Sequence, residues 1–100
     1  MKRKRIRLLD PTDRYIKSLS LEEQIQIAAD IMCIARDEMK LVRTKQLRGP
    51  IRELIAGNHR ITYFTLDDSV YFVRGFRKKT NKTPRNEIEF AEKIYKQLIT

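Results

Sequence analysis

Residues 74–85 of this chain carry six cations and no acid: Arg74, Arg77, Lys78, Lys79, Lys82 and Arg85. A second basic group, Lys40, Arg43, Lys45, Arg48 and Arg52, precedes them, and His59 and Arg60 fall between the two. Like charges gathered in one window raise the electrostatic energy of a folded chain, and a polyanion that neutralises them removes that cost. The same residue types suit cleavage of an RNA phosphodiester. There the ribose 2′-hydroxyl attacks the adjacent phosphorus, so the substrate carries its own nucleophile. The protein has to position the strand, stabilise negative charge in the transition state and move protons. Guanidinium groups do the second task bidentately. An ammonium crowded by other cations gives up its proton more readily and can exchange it near neutrality. The imidazole of His59 can act in the same way. Plain RNA binding needs the same residue types, and composition does not separate the two.

The overall balance agrees with a polyanionic partner. Lys and Arg number 22 against 13 acids, a formal net charge of +9. The apolar fraction of 41% is that of a globular chain rather than a disordered one. One hundred residues suffice for a single domain, 1–100, with one modest core. The lone cysteine, Cys33, lies in an apolar helical stretch and cannot form a disulfide within the chain. No apolar run approaches the roughly 20 residues that span a bilayer. The start, Met1-Lys2-Arg3-Lys4-Arg5, is basic, but Ile6-Arg7-Leu8-Leu9-Asp10 is too short for a signal h-region. The expected location is the cytoplasm, away from any membrane. Neither GxGxxG, GxxxxGK[ST] nor CxxC occurs. The acids are scattered, and Asp67-Asp68 reads as a turn rather than a metal pair. The expected site therefore holds no metal and no cofactor.

The elements that must position these residues follow from periodicity. Arg5, Ile6, Arg7 and Leu8 alternate, so residues 5–9 read as a short, half-buried strand, and the basic start reads equally as a frayed tail. Asp10 as cap and Pro11 at the first position start a short helix ending near Ser18. Ser20 and Glu23 form a capping box. Behind it, Leu21, Ile25, Ala28, Met32, Ala35 and Met39 recur at helical spacing, widened by Ile27, Ile31, Ile34 and Leu41, and predict one helix near 21–41. Gly49-Pro50 breaks the chain. Strands are predicted at Ile51–Ala56, His59–Leu66 and Ser69–Phe76, linked by turns at Gly57-Asn58 and Asp67-Asp68. Such short links make the strands antiparallel neighbours. Thr83 as cap and Pro84 at the first position open a last helix, with Ile88, Ala91, Tyr95 and Leu98 as its apolar stripe. The expected class is α+β, in the order β-α-α-β-β-β-α, with helices packed on a small, mostly antiparallel sheet.

Four segments occur in order: Leu47-Arg48-Gly49-Pro50-Ile51-Arg52-Glu53-Leu54, Gly57-Asn58-His59-Arg60-Ile61-Thr62-Tyr63-Phe64, Gly75-Phe76-Arg77-Lys78-Lys79-Thr80-Asn81-Lys82-Thr83-Pro84 and Glu87-Ile88. From about residue 15 to the end, the chain resembles the HigB-like, phage-derived branch of the RelE/ParE toxin superfamily. The resemblance implies a RelE-like fold and the toxin of a type II toxin–antitoxin system. Such toxins are typically metal-free, ribosome-dependent mRNA endonucleases. It also implies a cognate helix-turn-helix antitoxin that silences the toxin, with DNA contacted only through the antitoxin. By position, Arg60 and Lys79 would stabilise transition-state charge, and Lys78 or His59 would transfer protons. Arg48, Arg52, Arg74, Arg77 and Lys82 would hold RNA phosphates. The chain departs from the family pattern at three places: Arg52 stands where an aromatic is usual, Ile55 where an Arg is usual, and His59 where a Tyr is usual. Two further readings are a ParE-like inhibitor of DNA gyrase, which the Lys-Lys-Thr-x-Lys-Thr-Pro run argues against, and a non-catalytic or inactivated RNA-binding relative.

Overall fold

The computed structural model describes residues 3–100. Met1 and Lys2 lie outside the described residues, and with them the start of the basic N-terminal run. Among the described residues the chain forms β1 (Arg5–Leu8), α1 (Asp10–Lys17), α2 (Leu21–Ala35), a 3-10 turn (Met39–Leu41), β2 (Arg43–Arg48), β3 (Ile51–Ala56), β4 (His59–Leu66), β5 (Ser69–Arg77) and α3 (Arg85–Ile99). The strands make one five-stranded sheet in the order β1-β5-β4-β3-β2. β1 lies parallel to β5 and the other neighbours are antiparallel. The fold is α+β, with three helices on a mixed sheet. Among the described residues no helix is long and apolar enough to cross a membrane.

Helices cover both faces of the central strands. On one face Ile27, Ile31 and Ile34 of α2 meet Leu54, Ile61, Tyr63 and Phe72. On the other, Phe90, Ala91, Ile94 and Tyr95 of α3 meet Ile51, Phe64 and Val73. Phe64 and Tyr95 pack edge-to-face with ring centroids 5.0 Å apart. Consecutive residues such as Tyr63-Phe64 and Phe72-Val73 are therefore all buried. This explains why these strands read as unbroken apolar runs rather than alternating ones.

Five expectations need correction. The helix predicted near 21–41 stops at Ala35, because Asp37 takes a left-handed conformation, φ 60°. The Glu38 amide donates to Cys33 O at 2.8 Å and the Asp37 amide to Ile34 O at 3.1 Å, the paired bonds that close a helix end. The position after a helix cap is usually Gly, so Asp there hides the stop. Leu21 and Ile25 lie 72% and 61% exposed, so the buried face of α2 is the Ile27, Ile31, Ile34 stripe. Leu98 on α3 is likewise exposed. Asp10 and Thr83 make no cap bond: α1 begins at Asp10 after Leu9, and α3 begins at Arg85 after Pro84. The strand β2 is an element that periodicity does not predict. Its charged run pairs with β3, and Gly49-Pro50 is the turn between them, with Gly49 at φ 53°.

Two register shifts decide where arginines point. In β5 Val73 has no partner, since Thr62 pairs with Arg74 and Tyr63 with Phe72. This bulge turns Arg74 onto the α3 face beside Thr62. In β2 Leu47 is skipped, which places Arg48 opposite Ile51 on that face. Gly75 faces α1, and a Cβ there would stand 2.4 Å from Tyr15 Cδ2 and 2.8 Å from Tyr15 Cγ. Gly75→Ala is expected to destabilise the fold by about 1–3 kcal/mol through overpacking. Urea denaturation measures this, and an unchanged midpoint would show that α1 can move away from β5 at no cost.

Candidate functional site

Register sorts the basic residues by face. Across the sheet, Lys45 pairs with Glu53, Glu53 with Thr62, and Thr62 with Arg74. One step along, Arg43 pairs with Ile55, Ile55 with Arg60, and Arg60 with Phe76. Paired residues share a face, so all of these lie on the α3 side. α3 covers only part of that side, over Ile51 and Phe64. The remainder is a cleft roofed by the loop after β5. Arg60, Glu53 and Phe76 line it together with Lys78, Lys79, Lys82 and Thr83.

The floor of the cleft is ordered by one acid. Glu53 is 3% exposed. Its Oε1 accepts a hydrogen bond from Thr83 Oγ1 at 2.6 Å, and its Oε2 lies 3.9 Å from Arg60 Nε. Arg60 Nη1 donates to the carbonyls of Gly57 at 2.8 Å and His59 at 3.0 Å. The guanidinium is thus held from two sides. The loop is tied at its far end by Thr83 and at its near end by the Lys78 amide, which donates to Asn58 O at 2.7 Å. Between those ties Lys78, Lys79 and Lys82 are exposed and form no ion pair among the described residues. Four cations facing one buried carboxylate leave the cleft net positive, suited to a phosphate group.

The other predicted residues divide. Arg48 and Arg74 lie on the cleft face but are engaged with α3. Arg48 makes two hydrogen bonds to Glu92, at 2.8 and 3.0 Å, which hold the Glu92 carboxyl below its ordinary range. Arg74 Nε donates to Glu87 at 2.8 Å and its guanidinium lies 4.1 Å from the Phe90 ring centre. Arg52 lies on the opposite face, donating to Tyr63 Oη and Thr44 Oγ1. His59 and Arg77, which pair with each other across β4 and β5, also face α1 and α2. So the structure brings Arg60, Lys78, Lys79 and Lys82 together and leaves Arg52, His59 and Arg77 outside the cleft.

His59 is buried between two helices. Its Nδ1 lies 2.6 Å from Tyr15 Oη and its Nε2 lies 2.6 Å from Glu23 Oε2. Burial raises the Tyr15 hydroxyl above its ordinary pKa of 10.0. The hydrogen bond with His59, helped by those from Ser20, lowers Glu23 to about 2. Glu23 Oε1 meanwhile accepts from the Ser20 amide and hydroxyl, closing the capping box of α2.

Sequence reasoning missed Glu53, Thr83's role in the cleft, and the partners of His59. One signal for Glu53 was present: a carboxylate in the middle of an apolar strand, between Ile51 and Leu54, needs a partner when buried. Among the described residues no three His, Cys, Asp or Glu side chains gather as a metal site would need.

Two expectations can be measured. Thr83→Val should free the loop, raising amide hydrogen exchange at residues 79–82 while β4 stays protected; unchanged exchange would remove Thr83 as its anchor. The lowered Glu23 pKa makes its stabilising contribution present above about pH 4.5 and lost as pH falls through about 2. Wild type should therefore exceed Glu23→Gln in urea resistance at pH 6 and lose that advantage near pH 2. An equal gap at both pH values would rule out the linkage.

No curated protein sequence matches the chain. A family model does match, and it spans residues 14–96, from within α1 to near the end of α3. The matched span contains the cleft, its loop and the strands beneath them. The chain belongs to the family described as phage derived protein Gp49-like (DUF891).

Proposed function

We propose that this protein is the toxin of a type II toxin–antitoxin pair, of RelE/ParE kind, that cleaves mRNA on the ribosome without a metal. One observation carries the proposal: a single cleft in which Arg60, positioned by the carbonyls of Gly57 and His59 and by Glu53, faces a loop of lysines that form no ion pair among the described residues. Membership of the phage-derived family and the four sequence segments around this cleft support it. An RNA phosphate entering the cleft meets Arg60 from below and Lys79 from the loop, and these stabilise the charge that develops on the phosphoryl oxygens. Lys82 holds a neighbouring phosphate. The 2′-oxygen bonds to phosphorus as the bond to the 5′-oxygen breaks. Glu53, the one acid lining the cleft, takes the 2′-hydroxyl proton, and Lys78 gives one to the departing 5′-oxygen. His59 is on the wrong side of the sheet for either transfer. Arg48 and Arg74 anchor α3 rather than RNA.

Under this proposal the protein works in the cytoplasm, its substrate is ribosome-bound mRNA, and a cognate helix-turn-helix antitoxin masks the basic cleft. DNA is reached through that antitoxin alone. The test is primer extension on an mRNA held in programmed ribosomes, comparing wild type with Arg60→Ala and Lys79→Ala. Discrete cuts should appear with wild type only when ribosomes are present. Each substitution should slow cutting by about 10²–10³-fold, the usual cost of one lost transition-state donor. Absence of cuts from folded wild-type protein would remove the nuclease proposal, and retained RNA binding would then mark a non-catalytic relative.

A further inference from the structure

We propose that Tyr15, His59 and Glu23 form a positioning network for Arg60 and the lysine loop, acting from the opposite face of the sheet. The network's functional consequence rests on the cleavage reading, and its structural consequence on geometry alone.

The connection runs through the β3–β4 hairpin. Gly57 and Asn58 are exposed turn residues, with Gly57 at φ 60°. Yet the carbonyls of this turn carry the cleft: Gly57 O and His59 O hold Arg60 Nη1, and Asn58 O holds the amide of Lys78. An exposed two-residue turn is a poor reference point for a guanidinium that must be placed to a fraction of an ångström. What fixes it is the next residue. His59 is 6% exposed and both of its ring nitrogens have partners, Tyr15 of α1 and Glu23 of α2. Those partners are themselves fixed. Tyr15 is packed against Gly75, which has no side chain to push it away. Glu23 is locked by the capping box at the start of α2.

The arrangement holds in either protonation state of the imidazole. Neutral, the ring donates from Nε2 to Glu23 and accepts at Nδ1 from the Tyr15 hydroxyl. Protonated, it donates from both nitrogens, and the Tyr15 hydroxyl rotates to accept. Each nitrogen stays satisfied, so the ring and the turn behind it stay in place. Arg77, which with Glu23 lines the cavity beside His59, pairs with His59 across the ladder, and Arg52 on the same face donates to Tyr63 Oη and Thr44 Oγ1. A group held this tightly, and facing away from the cleft, is a positioning residue rather than a proton shuttle.

The test uses His59→Phe, which keeps a ring and removes both hydrogen bonds, and Tyr15→Phe, which removes one and keeps the packing on Gly75. Three quantities are read for each full-length variant: urea midpoint, the Arg60 Nε–Hε NMR signal, and single-turnover cleavage over a range of programmed-ribosome concentrations. The expected result is a shifted or broadened Arg60 signal. Maximal cleavage should fall on the order of 10²-fold in His59→Phe and less in Tyr15→Phe. The ribosome concentration for half-saturation should not change. If His59→Phe does not fold, Tyr15→Phe decides alone. An unmoved Arg60 signal with full cleavage overturns the proposal. So does an unmoved signal with cleavage abolished, which would make His59 a direct participant. If wild type does not cleave at all, the nuclease reading fails, while the Arg60 signal in the variants still decides the positioning.

Discussion

The strands β3, β4 and β5 bury side chains on both faces, and this constraint governs where charge can go. A chain with 22 cations and an apolar sheet interior has to exclude nearly all of them from the middle of the molecule. Most lie on exposed helix positions, on the edge strands β1 and β2, and in the loop after β5. α3 covers only part of its face. Beyond it, paired strands still bring side chains together under the loop after β5. The polar cleft lies where that loop, rather than α3, covers the sheet.

On that face, the arrangement of acids decides which cations are free. α3 carries Glu87 and Glu92 toward the sheet, and these take Arg74 and Arg48. Both arginines reach α3 because a bulge in each strand turns them to that side. Glu53 takes part of Arg60's charge but leaves its donors directed by backbone carbonyls. The lysines of the loop have no such partners among the described residues. The positive field of the cleft is therefore what remains after the structural ion pairs have formed, and it is smaller and better placed than the raw count of cations implies.

Each side of the sheet has its own polar arrangement, and the backbone of the β3–β4 turn joins them. On the α1 and α2 side, the arrangement is a short chain of hydrogen bonds, Tyr15 to His59 to Glu23 to Ser20. On the α3 side, it is Arg60, Glu53 and Thr83. Alternation along β4 makes this unavoidable: neighbouring residues His59 and Arg60 must point to opposite faces.

Elements whose signals are local can be read from the chain alone. The capping box at Ser20 and Glu23, the three strands from Ile51 onward and their turns, the α+β class and the concentration of cations near Arg60 and Lys79 were all legible. These depend on periodicity and turn chemistry within a few residues. Tertiary structure decided the rest. The end of α2 at Ala35 depends on a left-handed Asp, and the strand β2 on pairing with β3, which its charged residues do not advertise. Which cations stay free depends on bulges that rotate Arg74 and Arg48 toward acids 13 and 44 residues away in the chain. Whether His59 joins the cleft or the helices behind it depends on strand register, because a shift of one residue would exchange the two faces. Pairing partners distant in sequence set that register, so no local pattern in the chain could announce it.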